Sequence, residues 1–520
     1  MKLERIIIGE QFHNIVTKRK NHPAITWDGE IYTWEELDIL SDKMAISLMY
    51  EEVEKGAHFA LCGKNSVEWI CAFLAIVKVG AIPILVNPNL KEREVKSLFD
   101  YADVDQVYYD DVFADNLTDS LYRKYLKISM AKGMLEEFRK DYQISEVERQ
   151  KLLARQAKIE TQDNACMLFT SGSTSRPKGV MLTHYQLMNI AREATATMGW
   201  TENDQICQVL PMFHCFGLST GLLAMFAHGG SMHLCSSHRT AVVMQCIDEN
   251  RCTVLNGVPS LFLAILYSKE RKQYKLSTLK TGIIAGSPVN QSDYMTIVKE
   301  LGIEGLVQSY GQTEASPSIT FTSVFDPFEL RCQSVGKAIS NIELMIAELD
   351  TGKPRKPYEQ GEILIRGYNV MKGYYKNPEE TRSVISEEGW LKTGDLGYLD
   401  EDDNLYITGR KKDIIIRCGE NISPKEIEDA IRECKSVIQV KVFGMPMPVV
   451  QEEIVACIVT TSEKDLTEEV LRELLINKLA DYKVPKYILF FEQFPELAGG
   501  KINVQGLKEE AYSRIQVKLF

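Results

Sequence analysis

The sequence predicts an α/β protein of several domains. Its 520 residues are too many for one hydrophobic core and correspond to about three or four domain-sized units. Residues 61–88 read as strand, helix and strand, an alternation typical of a parallel sheet covered by helices. From Ser334 onward, short strands with Gly and Pro at close intervals suggest a small barrel or sandwich.

Composition narrows the classes of function. The chain is 45% hydrophobic and 25% charged, with a net charge of -12, which is ordinary for a globular protein but argues against a nucleic-acid binder. Its 12 cysteines include no C-x-x-C pair and no His cluster at zinc spacing. Neither a structural metal nor a disulfide framework is indicated, and we expect a reducing, cytoplasmic location.

No segment is predicted to span a membrane. The N-terminus has only three consecutive apolar residues, fewer than a signal peptide needs. The run from Trp69 to Val86 is nearly apolar, but Lys78, Gly80 and Pro83 divide it. We expect a buried helix followed by a strand.

Local signals place the first elements. Asp28 and Gly29 predict a hairpin turn, and Thr33 is expected to cap the following helix. Asn65 and Glu68 are predicted to form a second cap pair ahead of Trp69. Residues 110–160 are charged and helical in propensity, and no chemistry is evident in them.

The stretch 168–184, LFTSGSTSRPKGVMLTH, suits phosphate. Gly172 allows close approach of the backbone, hydroxyls surround it, and Lys178 supplies a mobile positive charge. The hydroxyls belong to Thr170, Ser171, Ser173, Thr174 and Ser175. A Walker-type P-loop is disfavoured because Pro177 and Gly179 replace the Gly and Ser/Thr that it needs. A polar surface turn is the structural alternative.

Three predicted strands lead into candidate binding loops. Residues 204–210 precede the segment PMFHCFG, in which His214 is either a packed core histidine or a site residue. Residues 252–258 and 282–285 form two further strands, and the second ends at Gly286, Ser287 and Pro288. Loops at the carboxyl ends of such strands usually bind ligands.

The pentapeptide YGQTE follows the strand 306–309. Tyr310 could stack on a base, Gly311 permits close approach, and Glu314 could hold Mg²⁺ beside a nucleotide. A solvated turn is the alternative.

The main domain boundary is predicted at 410–412, giving domains 1–409 and 410–520, because a new α+β pattern begins there. Residues 414–416, 437–443 and 454–460 are predicted strands. Ser423 is expected to cap a helix that has Pro424 in its first turn. Lys501 lies in a predicted flexible loop, where an ordinary surface lysine is the alternative reading.

Five motifs in order resemble the superfamily of adenylate-forming enzymes, which contains acyl- and aryl-CoA ligases, amino-acid adenylation domains and luciferases. They are SGSTSRPKG, YGQTE, WLKTGD, GRKKD and GGKI, and the resemblance covers essentially the whole chain. It implies a large N-terminal region of two α/β subdomains plus a β-barrel, and a small mobile α+β C-terminal domain.

The resemblance also implies roles for individual residues, with Lys501, Lys178, Glu314 and His214 as the catalytic group. The ATP phosphates would lie on Thr170, Ser171, Gly172, Ser173, Thr174 and Lys178, and Mg²⁺ on Thr170 and Glu314. The nucleotide would further contact Gly286, Ser287, Pro288, Ser309, Tyr310, Gly311, Gln312, Thr313, Asp395, Arg410 and Lys501. The acyl pocket would comprise His214, Phe216, Gly217, Ile284, Ala285 and Gly286; CoA would meet Arg417, Gly419 and Glu420; and Lys412 would be the hinge.

The implied activity is ATP-dependent ligation of a carboxylic acid to CoA, releasing AMP and pyrophosphate. Amino-acid adenylating relatives place an Asp where this chain has His214, so an acid without an α-amino group is favoured. The pocket residues fit medium aliphatic and aromatic acids equally. Alternatives are an acyl-AMP ligase that loads a carrier protein, a P-loop-like NTPase or kinase, and a nucleotide-binding protein without turnover.

The chain departs from the family pattern at several positions. Ser175 stands where Gly is usual, and Leu497 and Gly499 replace hydroxyl residues ahead of Lys501. None of these changes removes a charged catalytic group. They bear on rate and on the choice of thiol acceptor more than on the class of reaction.

Overall fold

The structure is a computed structural model of the chain. It describes all residues except 91, 115–125, 131–132, 141–142, 171–176, 350, 418–419, 448–450, 462–465, 480–482, 497–501 and 520.

The strands of the described residues follow in chain order. They are β1 (Pro23–Trp27), β2 (Glu30–Thr33), β3 (His58–Cys62), β4 (Ile82–Val86), β5 (Gln106–Tyr109), β6 (Leu126–Ser129), β7 (Asn164–Thr170), β8 (Lys178–Thr183), β9 (Gln205–Gln208), β10 (Ser231–Leu234), β11 (Val254–Leu255), β12 (Thr281–Ile284), β13 (Gly305–Tyr310), β14 (Thr320–Phe321), β15 (Lys337–Ala338), β16 (Ile342–Ala347), β17 (Gly361–Gly367), β18 (Gly373–Tyr374), β19 (Leu391–Leu399), β20 (Leu405–Arg410), β21 (Ile415–Arg417), β22 (Glu420–Ile422), β23 (Val437–Met447), β24 (Gln451–Thr460) and β25 (Tyr487–Phe490).

Helices alternate with these strands. The α-helices of the described residues are Ile8–Arg19, Trp34–Tyr50, Val67–Lys78, Glu92–Tyr101, Asp111–Ala114, Met134–Lys140, Glu146–Gln156, His184–Thr197, Cys215–Gly217, Ala224–His228, Thr240–Asn250, Pro259–Tyr267, Gln291–Leu301, Phe328–Gln333, Pro378–Val384, Pro424–Arg432, Glu468–Ile476 and Val504–Leu519. A π-helical turn occupies Leu218–Leu223, and 3₁₀ turns occupy Arg271–Gln273, Thr313–Ala315 and Lys411–Asp413.

The chain forms two compact units. Unit 1 contains Met1–Leu344 and Ile365–Leu391, and unit 2 contains Met345–Leu364 and Lys392–Phe520. This grouping does not test the predicted boundary between residues 409 and 410, which stays a prediction.

Unit 1 contains two large sheets. In the described residues, one sheet has nine strands in the order β15-β14-β13-β12-β11-β9-β10-β1-β2, and the other has seven in the order β18-β8-β7-β4-β3-β5-β6. Parallel pairing joins β10, β9, β11, β12 and β13 in the first and β7, β4, β3, β5 and β6 in the second. The predicted α/β class is confirmed.

The apolar run behaves as predicted. The helix Val67–Lys78 and the strand β4 that follows it are buried throughout. In the part of the chain that the structure describes, no helix is long and apolar enough to cross a membrane.

One predicted helix cap is confirmed and another is wrong. Thr33 accepts a hydrogen bond from the Glu36 amide and forms the full capping box. Ahead of Trp69, however, Ser66 is the cap, because its hydroxyl accepts from the Trp69 amide. Asn65 bonds to a distant loop instead.

Two other local expectations need correction. The charged region 110–160 contains the short strand β6, which pairs with β5 at the edge of the seven-stranded sheet, as well as helices. Ser423 does occupy the N-cap position of the helix that begins with Pro424, but its hydroxyl donates to the Thr408 carbonyl at 2.6 Å and does not cap the helix.

Unit 2 is mainly strands with a few helices. It contains residues of the four-stranded sheet β16-β17-β19-β20, in the segment for which a barrel or sandwich was predicted. A second sheet of the described residues runs β22-β21-β24-β23, with β25 paired to β24. Helix Pro424–Arg432 packs its apolar face on this sheet through Ile427 and Ile431, so the α+β pattern predicted after residue 410 is confirmed.

A buried ion cluster supports the core of unit 1. The Lys78 side chain is 2% exposed, and its Nζ lies 2.8 Å from Asp38 Oδ1, 2.6 Å from Asp42 Oδ1 and 2.8 Å from Ser41 Oγ. Burial acts to lower the pKa of Lys78, but the two carboxylates raise it to about 12. The ammonium therefore stays charged and fully paired inside the protein.

Replacing this lysine should destabilise unit 1. Lys78→Ala leaves two buried carboxylates without their cation, a change that reduces the free energy of unfolding by about 3–5 kcal/mol. Urea unfolding followed by tryptophan fluorescence measures this in unit 1, because all 5 tryptophans lie there.

Lys20→Ala is the matched control, since Lys20 pairs with Glu35 at the surface with 59% of its side chain exposed. It should shift the unfolding free energy by less than about 1 kcal/mol. Equal effects of the two variants would contradict the importance of the buried cluster.

Candidate active site

The carboxyl ends of parallel strands bring three predicted loops to one edge of the nine-stranded sheet. Strands β9, β11, β12 and β13 are parallel neighbours in that order. Residues 211–217 follow β9, residues 285–288 follow β12 and residues 311–314 follow β13. These segments form a crevice edge of the kind at which α/β proteins bind ligands.

The loop after β9 presents His214 at its surface. His214 is exposed at the start of the short helix Cys215–Gly217, and its ring centroid lies 4.5 Å from that of Phe213. The core-histidine alternative is thereby excluded. Gly217 is required here, because a Cβ would lie 2.2 Å from the Pro211 carbonyl oxygen.

Asn65 fixes this loop from the neighbouring sheet. Its Nδ2 donates to the Leu210 carbonyl at 2.8 Å, and its Oδ1 accepts from the Met212 amide at 2.8 Å. Gln208 also donates to the Leu210 carbonyl, at 2.6 Å. These side-chain bonds replace the backbone partners that an irregular segment lacks.

The loop after β12 offers backbone to a ligand. Ile284 is buried and Ala285 is half-buried, whereas Gly286, Ser287 and Pro288 are exposed. Gly286 has a φ of +85°, in the left-handed region where a side chain would be strained.

The predicted phosphate loop connects two antiparallel strands. Thr170, at the end of β7, pairs with Lys178, at the start of β8. A P-loop requires a helix after its lysine, so the Walker-type alternative is excluded. Ser171, Gly172, Ser173, Thr174 and Ser175 lie outside the described residues.

Glu314 joins the nine-stranded sheet to the seven-stranded sheet. Its Oε1 accepts from the Tyr374 hydroxyl of β18 at 3.0 Å, and its carbonyl accepts from the Met371 amide at 2.9 Å. Burial, and then the charge of Glu314, raise the pKa of Tyr374 well above its ordinary value, so the phenol keeps its proton and donates.

Lys178 reaches the same tyrosine from β8. Its Nζ lies 5.1 Å from the centroid of the Tyr374 ring and forms a short ion pair with Glu380. The structure thus brings Lys178 of β8 to the ring of Tyr374 and Glu314 of YGQTE to its hydroxyl. We name Lys178, Glu314, Tyr374 and Glu380 the hairpin cluster.

The donor set of this region suits Mg²⁺. Thr170 and Glu314 offer a hydroxyl and a carboxylate, the hard oxygen ligands that Mg²⁺ prefers. Both residues are half-buried, so each can meet a metal carried by a nucleotide.

The rest of YGQTE is shaped for close approach. A Cβ on Gly311 would lie 1.7 Å from the Pro317 carbonyl oxygen, so no side chain fits there. Ser309 and Tyr310 pair with Phe321 and Thr320 of β14, which holds the end of β13 in place. Gln312 and Thr313 are half-buried beside them.

In unit 2, Asp395 and Arg410 face each other across β19 and β20. Arg410 Nε lies 3.1 Å from Asp395 Oδ1, and the guanidinium is 60% exposed whereas the carboxylate is 10% exposed. The Asp395 amide donates to the Thr393 hydroxyl at 3.1 Å. A largely buried carboxylate with an adjacent exposed cation is suited to a diol such as ribose.

The remaining predicted residues are described only in part. Lys412 lies in the 3₁₀ turn directly after β20. Arg417 Nε lies 2.7 Å from the buried Glu453 Oε1, and Arg417 pairs with Glu420 in the strand register. Gly419 and Lys501 lie outside the described residues.

Sequence reasoning missed three residues that the structure connects to the predicted site. Tyr374 and Glu380 belong to the segment GYYKNPEE, for which the sequence analysis made no prediction. Asn65 was assigned to a local cap. Partners so distant along the chain leave no local pattern.

The fold and these groupings define the class of adenylate-forming enzymes. The chain belongs to the AMP-binding enzyme family, because residues 12–375 match that family and residues 426–501 match the AMP-binding enzyme C-terminal domain. The resemblance found in the motifs is confirmed.

Relatives and a solved structure agree over nearly the full length. A Bacillus subtilis (strain 168) protein named as an acyl-CoA synthetase, YngI, is 35% identical over 504 residues, 92% of each chain. Medium-chain acyl-CoA ligase ACSF2, mitochondrial, of Danio rerio is 30% identical over 516 residues, 94% of this chain and 85% of that protein. The o-succinylbenzoate CoA synthetase MenE of Bacillus subtilis, in complex with the acyl-adenylate intermediate OSB-AMP, superposes with a TM-score of 0.82 at 25% identity over 98% and 99% of the two chains.

Removing the Asn65 side chain should loosen the His214 loop. In Asn65→Ala the Met212 amide loses this partner and the Leu210 carbonyl loses one of its donors, which stabilise the loop by about 1–3 kcal/mol. Hydrogen exchange in peptides covering 209–217 should become about tenfold faster or more.

Asn89→Ala, at an exposed asparagine, serves as the control and should leave exchange in 209–217 unchanged. Unaltered exchange in Asn65→Ala as well would show that Asn65 does not hold the loop.

Proposed function

We propose that the protein is an ATP-dependent carboxylic acid:CoA ligase that forms an acyl-adenylate and then a thioester. The family and the names of its relatives support this activity. The single observation that carries it is the hairpin cluster, where Lys178 and Glu314 lie against the same Tyr374 ring. A cation for phosphate and a carboxylate for Mg²⁺ are thereby available side by side.

In the first step a carboxylate oxygen attacks the α-phosphorus of ATP, the bond to the β-phosphate breaks and pyrophosphate leaves. The two anionic reactants repel by about 4 kcal/mol at contact distance for an effective dielectric near 20. Lys178 binds the departing phosphates, and Lys501 contacts the substrate carboxylate and the α-phosphate. Thr170 and Glu314 would hold Mg²⁺, which would supply additional positive charge at the phosphates.

The remaining nucleotide contacts follow the motif assignments. Asp395 accepts hydrogen bonds from the ribose hydroxyls and Arg410 assists it, in keeping with their paired geometry. Residues 286–288 and Tyr310 frame the adenine, with the exposed backbone after β12 open to the base.

In the second step the thiol of CoA loses its proton to solvent and its sulfur attacks the acyl carbonyl, the bond from the acyl carbon to the phosphate oxygen breaks and AMP leaves. No strong base is needed for a thiol. Arg417, Gly419 and Glu420 approach the pantetheine, and Lys412 is the hinge of a C-terminal domain comprising 410–520 that presents these residues in place of Lys501.

The acid is one without an α-amino group, of medium aliphatic or aromatic type. His214 is exposed where an amino-acid adenylating enzyme has an Asp, and nothing in the predicted pocket compensates an ammonium. The pocket is completed by Phe216, Gly217, Ile284, Ala285 and Gly286, which are aromatic, aliphatic or small.

We place the reaction in the cytoplasm because the cysteine content shows no disulfide framework.

A carrier-protein phosphopantetheine is the alternative acceptor to CoA. Comparing product formation with CoA and with a phosphopantetheinylated carrier protein, under a panel of acids, distinguishes them. Thioester formation on the carrier protein alone would move the assignment to acyl-AMP ligase.

Lys501→Ala should separate the two half-reactions. It removes the cation from the attacking carboxylate and α-phosphate, so acid-dependent pyrophosphate release should fall by about 10²-fold or more. Thioester formation from supplied acyl-adenylate should stay within about threefold of the unsubstituted enzyme.

The exposed Lys435 provides the control variant Lys435→Ala, with both half-reactions expected to be normal. If Lys501→Ala slowed both half-reactions alike, the division of roles would be refuted.

Glu380→Gln should tighten ATP binding. Glu380 competes with phosphate for the Lys178 ammonium, and because the Glu380 carboxylate is 31% exposed the pair is worth about 1 kcal/mol. The KM for ATP should therefore fall about two- to fivefold, with kcat nearly unchanged.

Glu379→Gln, the adjacent exposed residue of the same helix, is matched in charge and should leave the KM for ATP as it was. A rise in KM for Glu380→Gln would indicate that Glu380 positions Lys178 and does not compete for it.

A further inference from the structure

Four cysteines from separate elements lie near one another beside β9. Cys207 of β9 belongs to one hydrophobic core, whereas Met212 and Cys215 of the His214 loop belong to another. Cys207 lies in β9, Cys235 follows β10, Cys246 lies in the helix Thr240–Asn250 and Cys252 precedes β11. The backbone sets the first pair side by side, because the Cys235 amide donates to the Gln208 carbonyl at 3.1 Å. The sequence spacing of these residues matches no familiar metal motif.

Three of the thiols are close enough to share one ion. Cys207 Sγ and Cys235 Sγ lie 3.4 Å apart, and both lie within 4.8 Å of Cys246 Sγ. Sulfurs bound tetrahedrally to zinc at about 2.3 Å are separated by about 3.8 Å. Among the described residues, this is the one group of three or more such side chains with spacing suited to a metal.

Cys252 lies beside this group of three. Its Sγ lies 3.6 Å from the Cys246 carbonyl oxygen, and it is not within 4.8 Å of all three other sulfurs, so it would have to move closer to serve as the fourth ligand. Asn250 Nδ2 lies 3.8 Å from Cys246 Sγ, the kind of N–H contact that supports a metal-bound thiolate.

The surroundings suit a closed structural site. Cys207, Cys235 and Cys252 are buried and Cys246 is half-buried, within a core that includes Val243, Met244 and Leu255. An ion could enter from the Cys246 side. Cysteines in such a core also pack as small apolar side chains, which is the competing interpretation.

We propose that Cys207, Cys235, Cys246 and Cys252 bind one Zn²⁺. On binding, each thiol releases its proton to solvent and forms one Zn–S bond, with no change of oxidation state. The ion would join β9, the end of β10, the helix Thr240–Asn250 and the start of β11. Gln208, the neighbour of Cys207, donates to the Leu210 carbonyl. The proposed zinc site is therefore next to the strand residue that holds the His214 loop.

Metal analysis of the full chain tests the proposal. The protein is purified without a polyhistidine tag or chelator, reduced, equilibrated with ZnCl₂ and freed of excess ion. Mass-spectrometric elemental analysis should find about one Zn²⁺ per chain. In Cys246→Ser and Cys235→Ser the bound zinc should fall about tenfold or more at the same free Zn²⁺.

Cys332→Ser is the matched control, because Cys332 is buried in the same core but is not one of the four cysteines proposed to bind the ion. It should retain its zinc. Replacement of Zn²⁺ by Co²⁺ should give the intense visible absorption of a tetrahedral thiolate site.

Three results would overturn the proposal. They are an unsubstituted protein that holds no zinc after equilibration, cluster variants that keep full zinc, and peptide mapping that finds a Cys207–Cys235 disulfide in place of the metal. The first and third need no variant, so poor folding of a substituted chain cannot obscure them.

Discussion

The hydrogen bond from the Tyr374 hydroxyl to Glu314 holds the candidate active site together. It connects the end of β13 in one sheet with β18 in the other. Because β18 also pairs with β8, the strand that carries Lys178, β8 is fixed relative to YGQTE. A partly buried charged acceptor strengthens this bond and penalises its loss, so the two motifs keep one geometry before any nucleotide arrives.

Positive charge is balanced in advance within each unit. Glu380 neutralises Lys178 within unit 1, and in unit 2 Asp395 neutralises Arg410. Each pair leaves one partner substantially exposed, so a phosphate or a ribose can replace it without uncovering a buried, unpaired charge. The Lys78 cluster differs, because the lysine is only 2% exposed and is paired with two carboxylates, which makes these pairs structural.

The sequence predicts those parts of the fold that depend on neighbours along the chain. The Thr33 capping box, the division of residues 69–86 into helix and strand, and the α+β pattern after residue 410 are all set by local spacing, and all are confirmed. The cap ahead of Trp69 is wrong because Asn65 and Ser66 are both good capping residues. In the structure Asn65 bonds to the loop at Leu210, 145 residues away, and Ser66 caps the helix.

Some residues of the candidate site could likewise be predicted from local motifs, and others could not. Glycine-rich and charged motifs mark Lys178, Glu314, Asp395 and Arg410, since close approach and charge leave a composition signal. Tyr374 and Glu380 have no such signal, because an aromatic ring and a helix-terminal glutamate are common in any core or surface. The four cysteines are equally hidden, as their spacing follows from the order of strands in a parallel sheet and from no local loop.

Transfer of labelled oxygen tests the central claim most directly. The substrate acid is prepared with a heavy oxygen isotope in both carboxylate positions and is turned over with ATP and CoA, and the AMP and pyrophosphate are analysed by mass spectrometry. Attack of the carboxylate on the α-phosphorus predicts one labelled oxygen in AMP and none in pyrophosphate. AMP without label, or label in pyrophosphate or inorganic phosphate, would contradict the account.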